Sequence, residues 1–327
     1  MESRYSEEEI IARVFAPIAG EGALGLRDDA ALLPPSSDGL VVTTDAIVAG
    51  VHFFADDAPG LIAKKALRVN LSDLAAKGAD PLGFLLTLAL PDNWTNEWLE
   101  AFAAGLAEDA RAFGAPLLGG DTASNPGPLT ISITALGRTP PGRFVARSGA
   151  RAGDFIYVSG TIGDAALGLA LRRDASLAER VSPQSRDYLL DRYLLPRPRV
   201  ALAGALRQYA SAAMDVSDGL AGDLTKLARA SGVSARVELA RVPLSSAARE
   251  MIALDAALID LAVTGGDDYE ILCCVPPDES GALEAAAREA GERLEKIGEI
   301  IGGKGAPEFF DAQKNKKIFK ILSFSHF

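Results

Sequence analysis

The chain has 327 residues, 48% of them hydrophobic, and a formal net charge of −11. This length suits two ordinary domains or one large one, with enough apolar residues for substantial cores. The acidic balance argues against nucleic acid as the main partner, because phosphate-backbone binding needs clustered Lys and Arg. An acidic chain can still take a phosphate compound when divalent cations bridge the two.

In chain order, Met1 to Glu9 is polar and acid-rich and lacks a signal-peptide pattern. Residues 6–19 read as a helix, with Ser6 and Glu9 spaced as a capping box. Gly25 to Asp29 reads as a turn with two acids at its end. Leu40 to Thr44 is a strand candidate that ends on Asp45. Leu61 to Lys77 has helical spacing, which places Ala66, Asn70, Asp73 and Lys77 on a polar face. Phe84 to Leu90 reads as a buried strand; the longest apolar run, Pro81 to Pro91, is well short of the ~20 residues a membrane helix needs. Trp98, Phe102, Leu106 and Phe113 mark a helix that Gly114 ends, and Gly119-Gly120-Asp121-Thr122 reads as a glycine-bounded turn. Leu129 to Gly137 alternates as a half-buried strand. Strands often neighbour strands, so the expected class is α+β rather than a doubly wound parallel sheet.

Arg138 to Arg151 is rich in Pro, Gly and Arg, and the domain boundary is expected there, between 1–140 and 147–327. The second part opens with a strand at Phe155 to Ser159, then helices at 163–172, 186–194 and from Arg197 to Tyr209. Asp215, Ser217, Asp218 and Gly219 follow, just before an apolar-periodic helix that Gly232 ends. Strands are expected at Ala235 to Leu239 and Ile271 to Val275, a helix at 284–290, and a polar, basic tail from Gly302. Cys273 and Cys274 lie in the second of these strands and point to opposite faces, as two small core residues rather than a disulfide or metal pair. No membrane segment is expected, and a cytoplasmic location fits.

The acids Asp28, Asp29, Asp45, Asp73, Asp121, Asp215, Asp218, Asp267 and Asp268 recur beside strands, glycines and helix starts. Carboxylates that share a place repel unless cations join them. Asp suits hard cations such as Mg²⁺, which take a few carboxylates plus phosphate oxygens and water. Helix N-termini also attract anions. Solvated surface acids and an ordinary capped helix are the plainer alternatives. With two histidines in the chain, a His-rich zinc site is excluded. No phosphate loop of the Gly-x4-Gly-Lys-Ser/Thr kind is present. Neither histidine sits in a nucleophile-like context, so no catalytic side chain stands out.

An ordered set of motifs spans nearly the whole chain: DDAALL (28–33), TTDAIVAGVHF (43–53), KALRVNLSDLAAKGADP (65–81), GGDT (119–122), RSGARAGDFIYVSGTIGDAALGL (147–169), MDVSDGL (214–220) and GGDDYEI (265–271). This set resembles the thiamine-monophosphate kinase family, of the superfamily that includes aminoimidazole ribonucleotide synthetase. The resemblance implies direct, Mg²⁺-assisted transfer of the γ-phosphoryl group of ATP to thiamine monophosphate. It implies a homodimer whose N-terminal ATP- and Mg-binding domains join their sheets into a barrel, with an α+β C-terminal domain on each chain. Several Mg²⁺ ions would be held by Asp29, Thr43, Thr44, Asp45, Asp73, Asp121, Asp215 and Asp218. Gly120, Asp121, Arg147 and Ser217 would contact ATP, and His52, Asp267 and Phe324 would contact thiamine monophosphate. The chain departs from the family at Arg27, where Gly is usual, at Asp267, where Glu is usual, and in the tail between Gly302 and Lys320. The alternatives are another ATP-using member of the superfamily and a non-catalytic nucleotide- or metal-binding module.

Overall fold

A computed structural model describes residues 4–27 and 30–323. Two compact units divide the chain: Met1–Leu74 with Ala79–Gly142, and Ala75–Gly78 with Arg143–Phe327.

In the first unit, Ser6 and Glu9 form the expected capping box around α1 (Glu7–Glu9). The helix does not continue as a regular one. It widens to a π-helix over Ile10–Phe15 and tightens to a 3₁₀ turn over Ala16–Ile18. Pro17, in the first positions of that 3₁₀ turn, has no N–H to donate to a carbonyl four residues back, so regular helix does not run through it. Next come β1 (Gly39–Val48), α2 (Pro59–Ala76), β2 (Asp80–Leu90), α3 (Asn96–Ala112), β3 (Leu117–Ser124) and β4 (Thr130–Thr139). They build a four-stranded sheet in the order β1-β4-β2-β3, with β2 and β3 parallel and the other pairs antiparallel.

Two expectations are corrected here. Asp45 is inside β1, not at a strand end, because ladder pairing with Ile133 of β4 outweighs the low strand preference of Asp. Gly119 to Thr122 is strand, not turn, because the parallel partner β2 holds it in register. A side chain at Gly120 would lie 1.9 Å from the Leu86 carbonyl oxygen, so glycine is required there by strand packing.

The α2 helix is buried on nearly every side: Leu67, Leu71, Leu74 and also Asn70 are fully buried. Its expected polar face is therefore an internal polar seam against β1. Helices α2 and α3 approach closely at Gly60 and Gly105, where a Cβ on Gly105 would come 2.4 Å from the Gly60 carbonyl oxygen.

The second unit is built on a seven-stranded sheet, ordered β11-β10-β7-β9-β5-β8-β6. Its strands are β5 (Phe155–Ser159), β6 (Ala212–Val216), β7 (Ser234–Glu238), β8 (Glu270–Val275), β9 (Leu294–Ile301), β10 (Glu308–Phe310) and β11 (Lys316–Lys317). Its helices are α4 (Asp164–Arg173), α5 (Ala175–Ala178), α6 (Pro183–Leu194), α7 (Ala203–Tyr209), α8 (Leu220–Ser231), α9 (Ser246–Leu254), α10 (Leu258–Thr264) and α11 (Ser280–Glu289). One face of the sheet packs on α8 through Leu220, Leu224 and Leu227; the other packs on α7 and α11 through Leu206 and Leu283. Each such leucine contributes about 1.5–3 kcal/mol of burial free energy. Cys273 and Cys274 fall in the two opposite cores, free and fully buried, and burial pushes the Cys273 thiol up to about 12.

The tail read as polar and basic, and within it β10 pairs in parallel with β7, and Phe309 is buried edge-on to Phe319 at 5.2 Å. A three-residue strand has no periodicity of its own; its partner strand makes it one.

Gly105→Ala is expected to cost about 1–3 kcal/mol through overpacking of α2 against α3. The measurement is the urea midpoint, which should fall with its slope unchanged; an unmoved midpoint would show that the helices can separate without loss.

Candidate active site

The first unit arranges its candidates on two faces and two edges of one sheet. Paired residues in a ladder share a face. Asp45 pairs with Ile133, Ile133 with Leu86, and Leu86 with Gly120, which puts Asp45 on the face covered by α2. The Asp45 N–H donates to Asn70 Oδ1 at 2.9 Å, and Asn70 Nδ2 donates to the Ala66 carbonyl at 3.0 Å. Thr43 Oγ1 donates to Asp73 Oδ2 at 2.6 Å. Thr43, Asp45 and Asp73 thus gather along the β1–α2 seam, with oxygen donors of the kind Mg²⁺ prefers.

Thr44 and Asp121 belong to the other face. Thr44 pairs with Thr134, and their hydroxyls are 3.1 Å apart. Asp121 pairs with Thr87, which pairs with Ser132 opposite Ala46. Strands β1 and β3 are opposite edges of the sheet, three strand spacings apart, or roughly 14 Å. One chain therefore does not bring Asp45 and Asp121 to the same ion.

On the Thr134 face lies a cavity of about 720 Å³, floored by Leu85, Thr87, Gly119, Gly120, Asp121 and Thr134 and roofed by Ile11, Phe15, Ala23 and Leu26. It joins an apolar wall to a polar end that holds Asp121. The sheet beside it leaves Leu40 and Val42 each 57% exposed and Leu85 40% exposed.

His52 sits in the turn after β1 and is half-buried. Its Nδ1 accepts the Val48 N–H at 3.0 Å, so the proton of the neutral ring belongs on Nε2. Lys65, itself buried, donates to the His52 carbonyl at 2.8 Å and holds the turn.

In the second unit, β6 delivers the buried Asp215 and ends at Val216. Ser217 and Asp218 form the turn into α8. Gly219 has φ 107°, and a Cβ there would meet the Thr264 carbonyl at 2.5 Å, so the turn accepts glycine only. Gly232 ends α8 in the left-handed conformation, as its position implied.

Two side chains absent from the initial candidates complete this turn. Asp223 is fully buried, and its Oδ2 accepts the Asp218 N–H at 2.9 Å. Lys226 bridges both acids, contacting Asp218 Oδ2 and reaching Asp223 Oδ1 at 2.7 Å. Burial raises the Asp223 carboxyl above the usual range, while Lys226 and the Asp218 N–H pull it back. The D-x-x-K spacing of Asp223 and Lys226 was a visible signal, since such residues are neighbours on a helix.

The segment 265–270 closes over this turn. The Asp267 N–H donates to the Ser217 carbonyl at 2.8 Å and the Tyr269 N–H to the Val216 carbonyl at 2.8 Å. Asp267 has φ 73° and Tyr269 φ 51°, both left-handed. Asp tolerates that region better than longer side chains, which suits Asp at 267. A Cβ on Gly266 would meet the Ser217 carbonyl at 2.3 Å, so this glycine serves the contact between the two turns.

Asp268, considered above among the acids as a possible cation ligand, is instead buried at the start of α4, where it accepts the Gly163 N–H at 2.6 Å and the Ala165 N–H at 3.2 Å. Behind it, the fully buried Glu270 accepts from Ser159 at 2.6 Å, Arg192 at 3.0 Å and Arg199 at 2.6 Å.

Arg147 is exposed, and its carbonyl accepts from Ser231. Asp28, Asp29 and Phe324 lie outside the described residues. Among the described residues, no three His, Cys, Asp or Glu side chains gather as a self-sufficient metal site. The donors fit ions that take one or two carboxylates and complete their shells with phosphate and water, the usual habit of Mg²⁺.

A two-domain α+β chain with carboxylates spread in this way defines a class. The family described as AIR synthase related protein matches here, its N-terminal domain over residues 27–139 and its C-terminal domain over residues 151–308. Within that class, the thiamine-monophosphate kinase of Caulobacter vibrioides is 45% identical over 313 residues, 93% of this chain and 87% of that one. The crystal structure of thiamine-monophosphate kinase from Stenotrophomonas maltophilia K279a aligns with TM-score 0.80 at 41% identity, covering 88% of this chain and 90% of the other. A structure described as AaThiL complexed with AMPPCP and TMP aligns with TM-score 0.75 at 30% identity, covering 98% and 94%. The chain belongs to the thiamine-monophosphate kinase family.

Glu270→Gln removes the carboxylate that neutralises Arg192, which is 2% exposed. The expected cost is about 3–5 kcal/mol, because a buried charge is left uncompensated. Urea unfolding reads it directly, and a loss under about 1 kcal/mol would show that Arg192 finds another partner or water.

Proposed function

We propose that this chain phosphorylates thiamine monophosphate to thiamine diphosphate with ATP, by direct in-line transfer of the γ-phosphoryl group. The observation that carries the reading is the relative complexed with AMPPCP and TMP, which aligns over 98% of this chain. The described geometry supports it. Donor and acceptor are both phosphates and repel each other, so the reaction asks for charge neutralisation and alignment rather than a protein nucleophile. The acceptor phosphate is already ionised, so no strong general base is needed. Bound Mg²⁺ would neutralise the phosphate oxygens and the charge that develops between them.

Thr43, Thr44, Asp45, Asp73 and Asp121 are proposed to hold Mg²⁺ from the first unit, and Asp215 and Asp218 from the second. Asp29 completes this proposed set. The 720 Å³ cavity is proposed to take the nucleotide, its apolar wall suiting a base and Gly120 and Asp121 lying toward the phosphates. Arg147 and Ser217 would grip phosphate oxygens, and His52, Asp267 and Phe324 would hold thiamine monophosphate.

The separation of Asp45 from Asp121 supports a homodimer, in which the second copy supplies the missing edge. The exposed Leu40 and Val42 give that copy an apolar face to cover. A cytoplasmic setting agrees with two free, buried cysteines. Among the described residues, no helix is long and apolar enough to cross a membrane.

Release of ADP, coupled to NADH oxidation, tests the reaction with thiamine monophosphate, ATP and Mg²⁺. Turnover that needs all three is expected; ATP binding without turnover would sink the kinase reading in favour of a non-catalytic module. Asp121→Asn and Asp215→Asn should each lower turnover about 100-fold while leaving the circular dichroism spectrum unchanged. Wild-type rates in either variant would count against the metal assignment.

Mixing two inactive chains tests the dimer. If Asp45 and Asp121 of different copies share a site, Asp45→Asn and Asp121→Asn subunits, refolded together, should recover about a quarter of wild-type activity, through the one intact site of each heterodimer. No recovery would place both acids of each site on one chain.

A further inference from the structure

The segment 265–270 contains a feature that the proposed reaction does not itself require. Asp267 and Tyr269 are both left-handed and neither is glycine. Such a conformation is strained for a residue with a side chain, and strain of this kind persists only where the surroundings over-determine it. Between them, Asp268 is 1% exposed and turned inward, and its two carboxylate oxygens take the N–H groups of Gly163 and Ala165 at the mouth of α4. No side chain of the α4 N-cap residue, Gly163, does this. Asp268 therefore caps a helix more than a hundred positions earlier in the chain, and the bonds hold the middle of the strained segment.

On one side of Asp268, the N–H of Asp267 is tied to Ser217; on the other, that of Tyr269 is tied to Val216. The Asp268 carbonyl faces Arg192 Nη2 at 3.5 Å, and Arg192 is held in turn by Glu270. The inward residue is anchored to a helix, while its two neighbours are zipped to the turn that carries Ser217 and Asp218.

From this arrangement we infer that Asp268 is a positioning residue for the acceptor: its cap on α4 holds Asp267 in the left-handed conformation that presents it to thiamine monophosphate. The inference rests on the proposed function for the identity of the acceptor; the anchoring itself rests on the geometry alone. Asp268→Asn keeps the volume but can accept through one oxygen only, so one of the two N–H groups loses its partner.

Three measurements on full-length protein test it. The KM for thiamine monophosphate should rise about 10-fold in Asp268→Asn, with kcat and the KM for ATP changed less than about threefold, as for a residue that orients a ligand-contacting group. Amide hydrogen exchange should quicken about 10-fold in residues 265–269 and stay unchanged in β7 and β9. Circular dichroism should show the wild-type fold. A variant whose kcat alone falls, with both KM values unchanged, would overturn the inference, since that is loss of folded enzyme. Unchanged exchange across 265–269 would overturn it too, as would faster exchange with no change in acceptor KM. Should the wild type itself fail to turn over thiamine monophosphate, the proposed function falls and the exchange measurement still decides whether Asp268 anchors the segment. If Asp268→Asn does not fold, Asp268→Ser, which buries no amide and still offers one acceptor, carries the same expectations.

Discussion

Carboxylates cannot be brought together in a protein without something positive between them, and this acidic chain is arranged around that constraint. Each acid near the candidate sites is either kept apart or given a partner. Asp218 and Asp223 share Lys226. Glu270 lies between Arg192 and Arg199, and Glu292 joins through Arg199. Asp268 takes the N–H groups at the start of α4. Asp73 accepts from Thr43. Asp45 and Asp121 are placed on opposite edges and opposite faces of one sheet. Glu270 and Asp268, whose partners are built into the fold, serve the fold; Asp218 keeps Lys226 beside it and is still proposed as an Mg²⁺ ligand.

This division separates structural acids from candidate ligands. Glu270 and Asp268 are buried and hydrogen-bonded through the protein, so they hold the 265–270 segment rather than a ligand. Asp223 is an intermediate case: it is buried, it orders the backbone of Asp218, and it shares a lysine with that residue. Its role is to shape the turn after β6. The glycines divide in the same way. Gly120, Gly219 and Gly266 each sit where a Cβ would strike a neighbouring carbonyl, so close backbone packing demands them before any ligand does.

Much of the fold was legible in local pattern. The capping box at Ser6, the end of α8 at Gly232, the alternation of β4 and the opposed burial of Cys273 and Cys274 all follow from spacing, because period and cap chemistry are properties of neighbours in the chain. The misreadings share one cause. Asp45 reads as a strand end and Gly119 to Thr122 as a turn because Asp and Gly are poor strand formers, yet distant partners in the ladder put both inside strands. Helical spacing puts Asn70 on a polar face, and β1 makes that face an internal seam. The 308–310 strand has no pattern of its own and exists through β7.

By itself the sequence determined which residue types could do the chemistry: short acids, small hydroxyls and flexible glycines in an ordered set of motifs, enough to state the family and its reaction. It did not determine which of those acids are held for structure. That was decided by tertiary structure alone, because burial and hydrogen bonding come from residues far away in the chain. Asp268 finds its partners at Gly163 and Ala165. Asp45 and Asp121, each flanked by motif residues, were parted by a strand order that no local spacing encodes.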